Sequence, residues 1–314
     1  MGLKPEISQY LTQRAALGLP AVWQAPLDEI RGNTQTHVAL TQPLIELFEV
    51  TRQMIPGSKS ELPVRIYRPV NEIKLPALVF FHGGGWVLNF LDIYEPALRK
   101  LAKAGKFIII AVEYRKAPEN PYPAAFNDCF TTLEWVIKNA DKLGIDKGLI
   151  GVGGDSAGGN LAAAVAIKAR DVNLISLAYQ LLIYPCNDRS MKYQSAITFS
   201  NDYGLTTQAM KWFWDQYLQG SEFDSDPYAV PSSASSLKGV APAFIFTAEF
   251  DPLVDDGKNY HTKLLKDSVS SMYKDFSGQI HGFFNLSGIT NDAELLYSDI
   301  AKNINLLIGR EIDN

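Results

Sequence analysis

The apolar positions of this chain fall into short, nearly continuous runs. ALVFFH (77–82), FIIIAVEY (107–114), GLIGVGG (148–154), LAYQLLIYP (177–185), AFIFTAEF (243–250) and MYKDF (272–276) are each too short for an ordinary helix and read as strands. Between most of them lie segments with helical spacing, near 94–105, 123–140, 157–169 and 255–267, with a last one near 292–308. A strand covered on both faces has no polar alternation to show, so such runs joined by helices predict a mostly parallel sheet with helices on both sides. FEVTRQMI (48–55) and PVRIYRP (63–69) do alternate, and a Pro-Gly turn separates them. They predict an antiparallel pair leading into the sheet.

Two stretches break this rhythm. Residues 5–18 look helical, but the chain up to about residue 45 has no place in a sheet. Between the strands at 177–185 and 243–250 the connection is far longer than an ordinary crossover, and it carries the aromatic segment MKWFWDQYL (210–218). Together they predict a helical cap, residues 1–45 and 187–226, on an α/β core of residues 46–186 and 227–314.

Composition narrows the partners. With 46% hydrophobic and 20% charged residues in 314, the chain can bury a sizeable core without staples. A net charge of −5 and no dense cluster of Lys and Arg argue against nucleic acid. Cys129 and Cys186 are far apart, outside any metal-binding spacing, and are expected to be buried thiols. Neither a signal-peptide run nor a bilayer-spanning run is present, so a cytoplasmic protein without stable membrane insertion is expected.

The densest chemical signal is LIGVGGDSAGGNLAAA (149–164). As a dinucleotide fingerprint it fails, because the sixth position counted from Gly151 is Ser156. As a Walker-type loop it fails too, because the lysine position falls on Gly159 or Asn160. Gly154, Asp155, Ser156, Ala157 and Gly158 do satisfy G-x-S-x-G, with an apolar strand before and an alanine-rich helix after. Strained backbone at such a serine leaves no room for bulky side chains two residues to either side, hence the glycines. A glycine-rich turn without chemistry has the same short pattern, so the partners decide.

A serine on such a turn draws its acid, and then its base, from later in the chain. Of four histidines, His37 and His82 precede Ser156, and His261 sits in the helical DDGKNYHTKLLKD. His281, in SGQIHGFFN just past the last strand, is the candidate base. AFIFTAEFDPLVDDG offers Glu249, Asp251, Asp255 and Asp256. Asp251 leaves the strand end and is the candidate acid, with Asp255 next in line; its task is to hold the imidazole tautomer and stabilise the imidazolium. FFHGGGW (80–86) ends a core strand in bare backbone. The N–H groups of Gly84 and Gly85, with that of Ala157, are the candidate donors to a developing oxyanion.

The set HGGGW (82–86), YRKAPENPYPAAFND (114–128), GDSAGGN (154–160), DPLVDDG (251–257) and HGFF (281–284) resembles the hormone-sensitive-lipase-like family of α/β-hydrolases. The resemblance spans roughly residues 47–290. It implies an α/β-hydrolase fold with an eight-stranded, mostly parallel sheet and a helical cap. It also implies Ser156, Asp251 and His281 as catalytic triad and Gly84, Gly85 and Ala157 as oxyanion hole, with no cofactor and no metal. His82 is similar to a loop-organising residue, and Asp128 to a buried hydrogen-bonding one. The family usually has glycine where this chain has Asn89, and often histidine near Tyr94; both departures are expected along the acyl or cap side. The implied function is a serine carboxylesterase acting on a small ester with a short to medium acyl chain. A deacetylase or amidase with the same triad, and a non-catalytic ligand-binding protein on this scaffold, are the alternatives, and a homodimer is compatible with either. Tyr203, Trp212, Phe213, Trp214 and Tyr217 are expected to close an apolar pocket over Ser156, with at least Trp212 or Trp214 serving as cap core.

Overall fold

A computed structural model describes residues 2–34 and 44–310. Among them, eight strands form one sheet: β1 (Glu49–Ile55), β2 (Leu62–Arg68), β3 (Leu75–Phe81), β4 (Ile108–Val112), β5 (Ile145–Asp155), β6 (Tyr179–Ile183), β7 (Ala243–Phe250) and β8 (Ser271–Ile280). Their order is β1-β2-β4-β3-β5-β6-β7-β8. The β1–β2 and β2–β4 pairs are antiparallel and the rest parallel, as the alternating and continuous patterns predict.

Every residue of β3, β4 and β6 is buried, which is why these strands show no alternation in sequence. Side chains still alternate in direction. Val79 and Phe81 join the apolar cluster beneath α4 (Ala124–Leu143), α5 (Ala157–Asp171) and α8 (Val254–Lys266). Leu78 and Phe80 join the one beneath α3 (Leu91–Gly105) and α9 (Asp292–Leu307).

The remaining helices are α1 (Pro5–Ala16), α2 (Leu27–Thr34), α6 (Ser195–Thr198) and α7 (Thr207–Leu218). α1 is tied down by Lys4, whose ammonium lies 2.6 Å from Asp292 and whose backbone N–H donates to Gly278 O. The short α2 was not expected from sequence; it buries only Ile30 and Thr34. Residues 35–43 of the expected cap, His37 among them, lie outside the described residues. In α7, Trp214 and Tyr217 pack on Trp86 with ring centroids 4.4 and 4.3 Å away. Trp214 is therefore core, whereas Trp212 is only partly buried. Cys129 and Cys186 are buried and unpaired. Among the described residues, no helix is long and apolar enough to cross a membrane.

The strand ends matter most for chemistry. His82, Ser156, Asp251 and His281 are each the first residue past the carboxyl end of β3, β5, β7 and β8. In open α/β sheets that edge is where ligands bind.

Candidate active site

The turn from β5 into α5 holds Ser156 at φ 55°, ψ −120°. This positive-φ conformation, outside the regions open to a residue with a Cβ, is costly and is sustained only by surroundings that fix it. Ser156 N–H donates to Ile183 O at 2.8 Å, and Asn160 N–H donates back to Ser156 O at 3.0 Å. The flanking glycines have no substitute. A Cβ on Gly154 would lie 2.3 Å from Phe81 O and 2.4 Å from Gly158 O, and one on Gly158 would lie 1.9 Å from Phe81 O. The collision is thus with the neighbouring strand β3 as well as within the turn.

The sharp turn presents Ser156 Oγ at 2.9 Å from Nε2 of His281. His281 Nδ1 is 2.7 Å from Oδ2 of Asp251, which is wholly buried. A carboxylate can only accept, so in the neutral ring the proton sits on Nδ1 and Nε2 is free to accept from the serine hydroxyl. The other Asp251 oxygen accepts from Leu253 N–H at 2.8 Å, and the Tyr184 ring lies against the imidazole with centroids 4.5 Å apart.

The glycines after β3 curl beside this array, with Gly84 and Gly85 at φ 109° and 60°. A Cβ on Gly85 would lie 2.3 Å from the ring of Phe213, so α7 seals the outside of this turn. Ala157 is the first residue of α5, and its N–H is one of the helix-start donors without an intrahelical acceptor. Residues 78–285, which contain all of these groups, match the protein family described as alpha/beta hydrolase fold.

The chain belongs to that family.

The hydrolase is 40% identical over 255 residues to the carboxylic ester hydrolase LipN of Mycobacterium tuberculosis, covering 79% of this chain and 67% of the relative. A hyperthermophilic esterase from the archaeon Pyrobaculum calidifontis has a similar structure, with TM-score 0.93, 36% identity, and coverage of 98% of this chain and 99% of the other. So has an ester-hydrolase from the metagenome of Lake Arreo, complexed with a derivative of bipyridine phosphonate. That match has TM-score 0.94, 32% identity, and 98% and 99% coverage.

The other sequence candidates take different places in the hydrolase. His261 lies on α8 with Nδ1 2.8 Å from Ser271 Oγ, and Glu249 stays in β7, accepting from Gly278 N–H at 2.7 Å. Asp255 and Asp256 occupy the first turn of α8 and accept the backbone N–H of Ser195 and of Asn187 and Asp188 respectively. His82 is fully buried, stacks on Tyr114 and donates from Nδ1 to Gly83 O at 2.8 Å. Burial pushes its pKa down to about 4, so it stays neutral as a backbone strut. Asp128 is likewise buried, accepting from the N–H and guanidinium of Arg115 at 2.7–3.0 Å.

Of the two departures, the Tyr94 hydroxyl is buried against Asp155 and the backbone N–H of Gly83, and Asn89 is partly buried beside it. Asn89 adopts φ 62°, which accounts for the usual glycine there. Sequence reasoning passed over Asp155 and Tyr184. Asp155 lies inside the G-x-S-x-G match, but nothing in the motif says what its carboxylate touches. A cavity of about 590 Å³ opens between α1, α2 and the start of α7, with Leu88 on its wall.

Proposed function

We propose that Ser156, His281 and Asp251 make this protein a serine carboxylesterase, and that Gly84, Gly85 and Ala157 supply its oxyanion hole. The observation that carries the reading is the relay of 2.9 Å and 2.7 Å contacts from Ser156 Oγ through His281 to Asp251. Carboxylic ester hydrolysis is the activity named for the relatives.

Ser156 Oγ attacks the ester carbonyl while His281 Nε2 takes its proton, and Asp251 stabilises the imidazolium that forms. Negative charge moves to the carbonyl oxygen, where fixed N–H dipoles cost no reorganisation at the moment of reaction. Collapse of this adduct expels the alcohol, protonated by His281, and leaves an acyl-serine. Water, activated by the same imidazole, then releases the acid.

In this reading the described parts of residues 2–45 and residues 187–226 act as a cap over the core of 46–186 and 227–310. The cavity bordered by α1, α2, α7 and Leu88 has a volume within the usual range of about 300–1,000 Å³ for small-molecule sites. Leu88, on the loop that carries Gly84 and Gly85, is its one lining residue from that loop, and short to medium acyl chains are part of the proposal. Two unpaired thiols fit a reducing compartment, and cytoplasmic residence is part of the proposal.

Ser156→Ala should keep its thermal midpoint and lose about four or more orders of magnitude in kcat on p-nitrophenyl butyrate. Near-normal turnover would overturn the assignment. A pure binding protein is separated by covalent labelling: a fluorophosphonate should modify Ser156 in the native chain and fail in His281→Ala.

A further inference from the structure

Gly83 N–H makes two hydrogen bonds, at 2.8 Å to Oδ1 of Asp155 and at 3.0 Å to the Tyr94 hydroxyl. Tyr94 also lies 3.1 Å from Oδ2 of Asp155, to which it donates, and it accepts from Nδ2 of Asn89 at 3.2 Å. Tyr94 and Asp155 are 1% and 3% exposed, so no water replaces a lost partner cheaply. Space is equally tight. A Cβ on Gly83 would lie 2.6 Å from Asp155 Oδ2, and one on Gly84 would lie 2.9 Å from the Asn89 amide. Asp155 precedes the proposed nucleophile and Gly83 precedes the proposed oxyanion donors, so this cluster ties one backbone segment to the other.

We propose that Tyr94, Asp155 and Asn89 are positioning residues: they hold the Gly84 and Gly85 N–H groups in register with Ser156, and the clamp is tightest when Asp155 is ionised. The inference rests on the esterase reading above. A phenol oxygen has one donor site and two acceptor sites. Here the donor serves Asp155 and the acceptors serve Gly83 and Asn89. Ionised Asp155 accepts from both the Gly83 N–H and the Tyr94 hydroxyl in charge-assisted bonds, and a proton on the carboxylate weakens both. The groups that face Asp155 are Tyr94 from α3, Tyr184 beyond β6 with its hydroxyl at 3.5 Å, His281 beyond β8, and, further off, Tyr114 and Cys186. Burial lifts the Asp155 pKa to about 6, against the Gly83 N–H, the Tyr94 hydroxyl and His281, which hold it down. The clamp therefore loosens as pH falls through about 6, well above the range of an ordinary carboxylate.

Tyr94→Phe tests this. On p-nitrophenyl butyrate, kcat should fall about ten- to a hundredfold with KM nearly unchanged, because the donors are misplaced and not removed. Affinity for a trifluoromethyl ketone, whose adduct with Ser156 carries the oxyanion, should weaken by a similar factor. The acid limb of the kcat–pH profile should move to higher pH, since the carboxylate has lost a donor. Asn89→Gly, tolerated at a positive φ, should give a smaller change in the same three readouts. A folded Tyr94→Phe with unchanged kcat and acid limb overturns the proposal, as does a loss of kcat without a shift of the limb, which marks a merely structural role. If Tyr94→Phe does not fold, Asn89→Gly decides on the same criteria. Ser156→Ala is assayed alongside. Wild-type turnover that does not depend on Ser156 signals failure of the esterase reading, whereas a normal Tyr94→Phe signals failure of the clamp alone.

Discussion

Asp251 and Asp256 stand five positions apart in DPLVDDG, both are buried, and they do different work. Asp251 meets an imidazole and a backbone N–H. Asp256 accepts two backbone N–H groups on Oδ2, at 2.7 and 3.0 Å, and leaves Oδ1 without a partner among the described residues. Burial, the largest influence, pushes the Asp256 carboxyl up to about 8. The native chain thus keeps a proton that the unfolded chain releases, and stability should fall as pH rises from about 4 toward about 8. Asp256→Asn retains the acceptor oxygen and removes the titration, so its urea midpoint should change less with pH across that window. An unaltered pH slope would show that Asp256 is ionised throughout. At this scale, Ser156, Asp251 and His281 were legible because each is the first residue after a strand and only four histidines compete. Asp155, Tyr94 and Tyr184 were not, since their contacts are made across 61, 72 and 29 positions of chain between residues with no common motif.

At the scale of elements, continuous apolar runs identified the buried strands, and errors lie where polarity intrudes. β5 begins at Ile145, three residues before the apolar run, because its first turn of strand carries exposed Lys147 and Gly148. β8 continues through Ser277, Gly278 and Gln279, since an edge strand is held by backbone pairing that a hydrophobic pattern does not record. α2 escaped notice for a similar reason. Its attachment is Arg31, which donates from Nε to Val87 O at 2.9 Å and from Nη2 to Ala117 O at 3.1 Å, and also pairs with Glu119. The Glu119 pair is half-exposed and worth little. The two backbone carbonyls matter more, and Arg31→Ala should cost about 1–2 kcal/mol in urea unfolding. Hydrogen exchange should speed up in α2 and leave β5 unchanged; a uniform increase would mean that α2 is not separately attached.

For the whole molecule, four loops at the carboxyl ends of β3, β5, β7 and β8 meet over one edge of the sheet, and α7 packs against the β3 loop through Phe213. The proposed acyl preference belongs at this scale, because the cavity is shared by α1, α2, Leu88 and the start of α7. Across a series of nitrophenyl esters, kcat/KM should be highest for short to medium chains and vary gently, one methylene being worth about 1–3 kcal/mol. A rate that climbs steadily toward long-chain triglyceride emulsions would point to a lipase instead.

By itself the sequence determined the parallel core, its antiparallel flank and the strand-end positions of Ser156, Asp251 and His281. All follow from local rules: burial period, turn chemistry and the room that Gly154 and Gly158 leave. Tertiary structure alone decided which polar groups saturate one another. The bonds joining Gly83, Asn89, Tyr94 and Asp155 depend on tenths of an ångström between segments brought together by the whole sheet, and no local pattern encodes that separation.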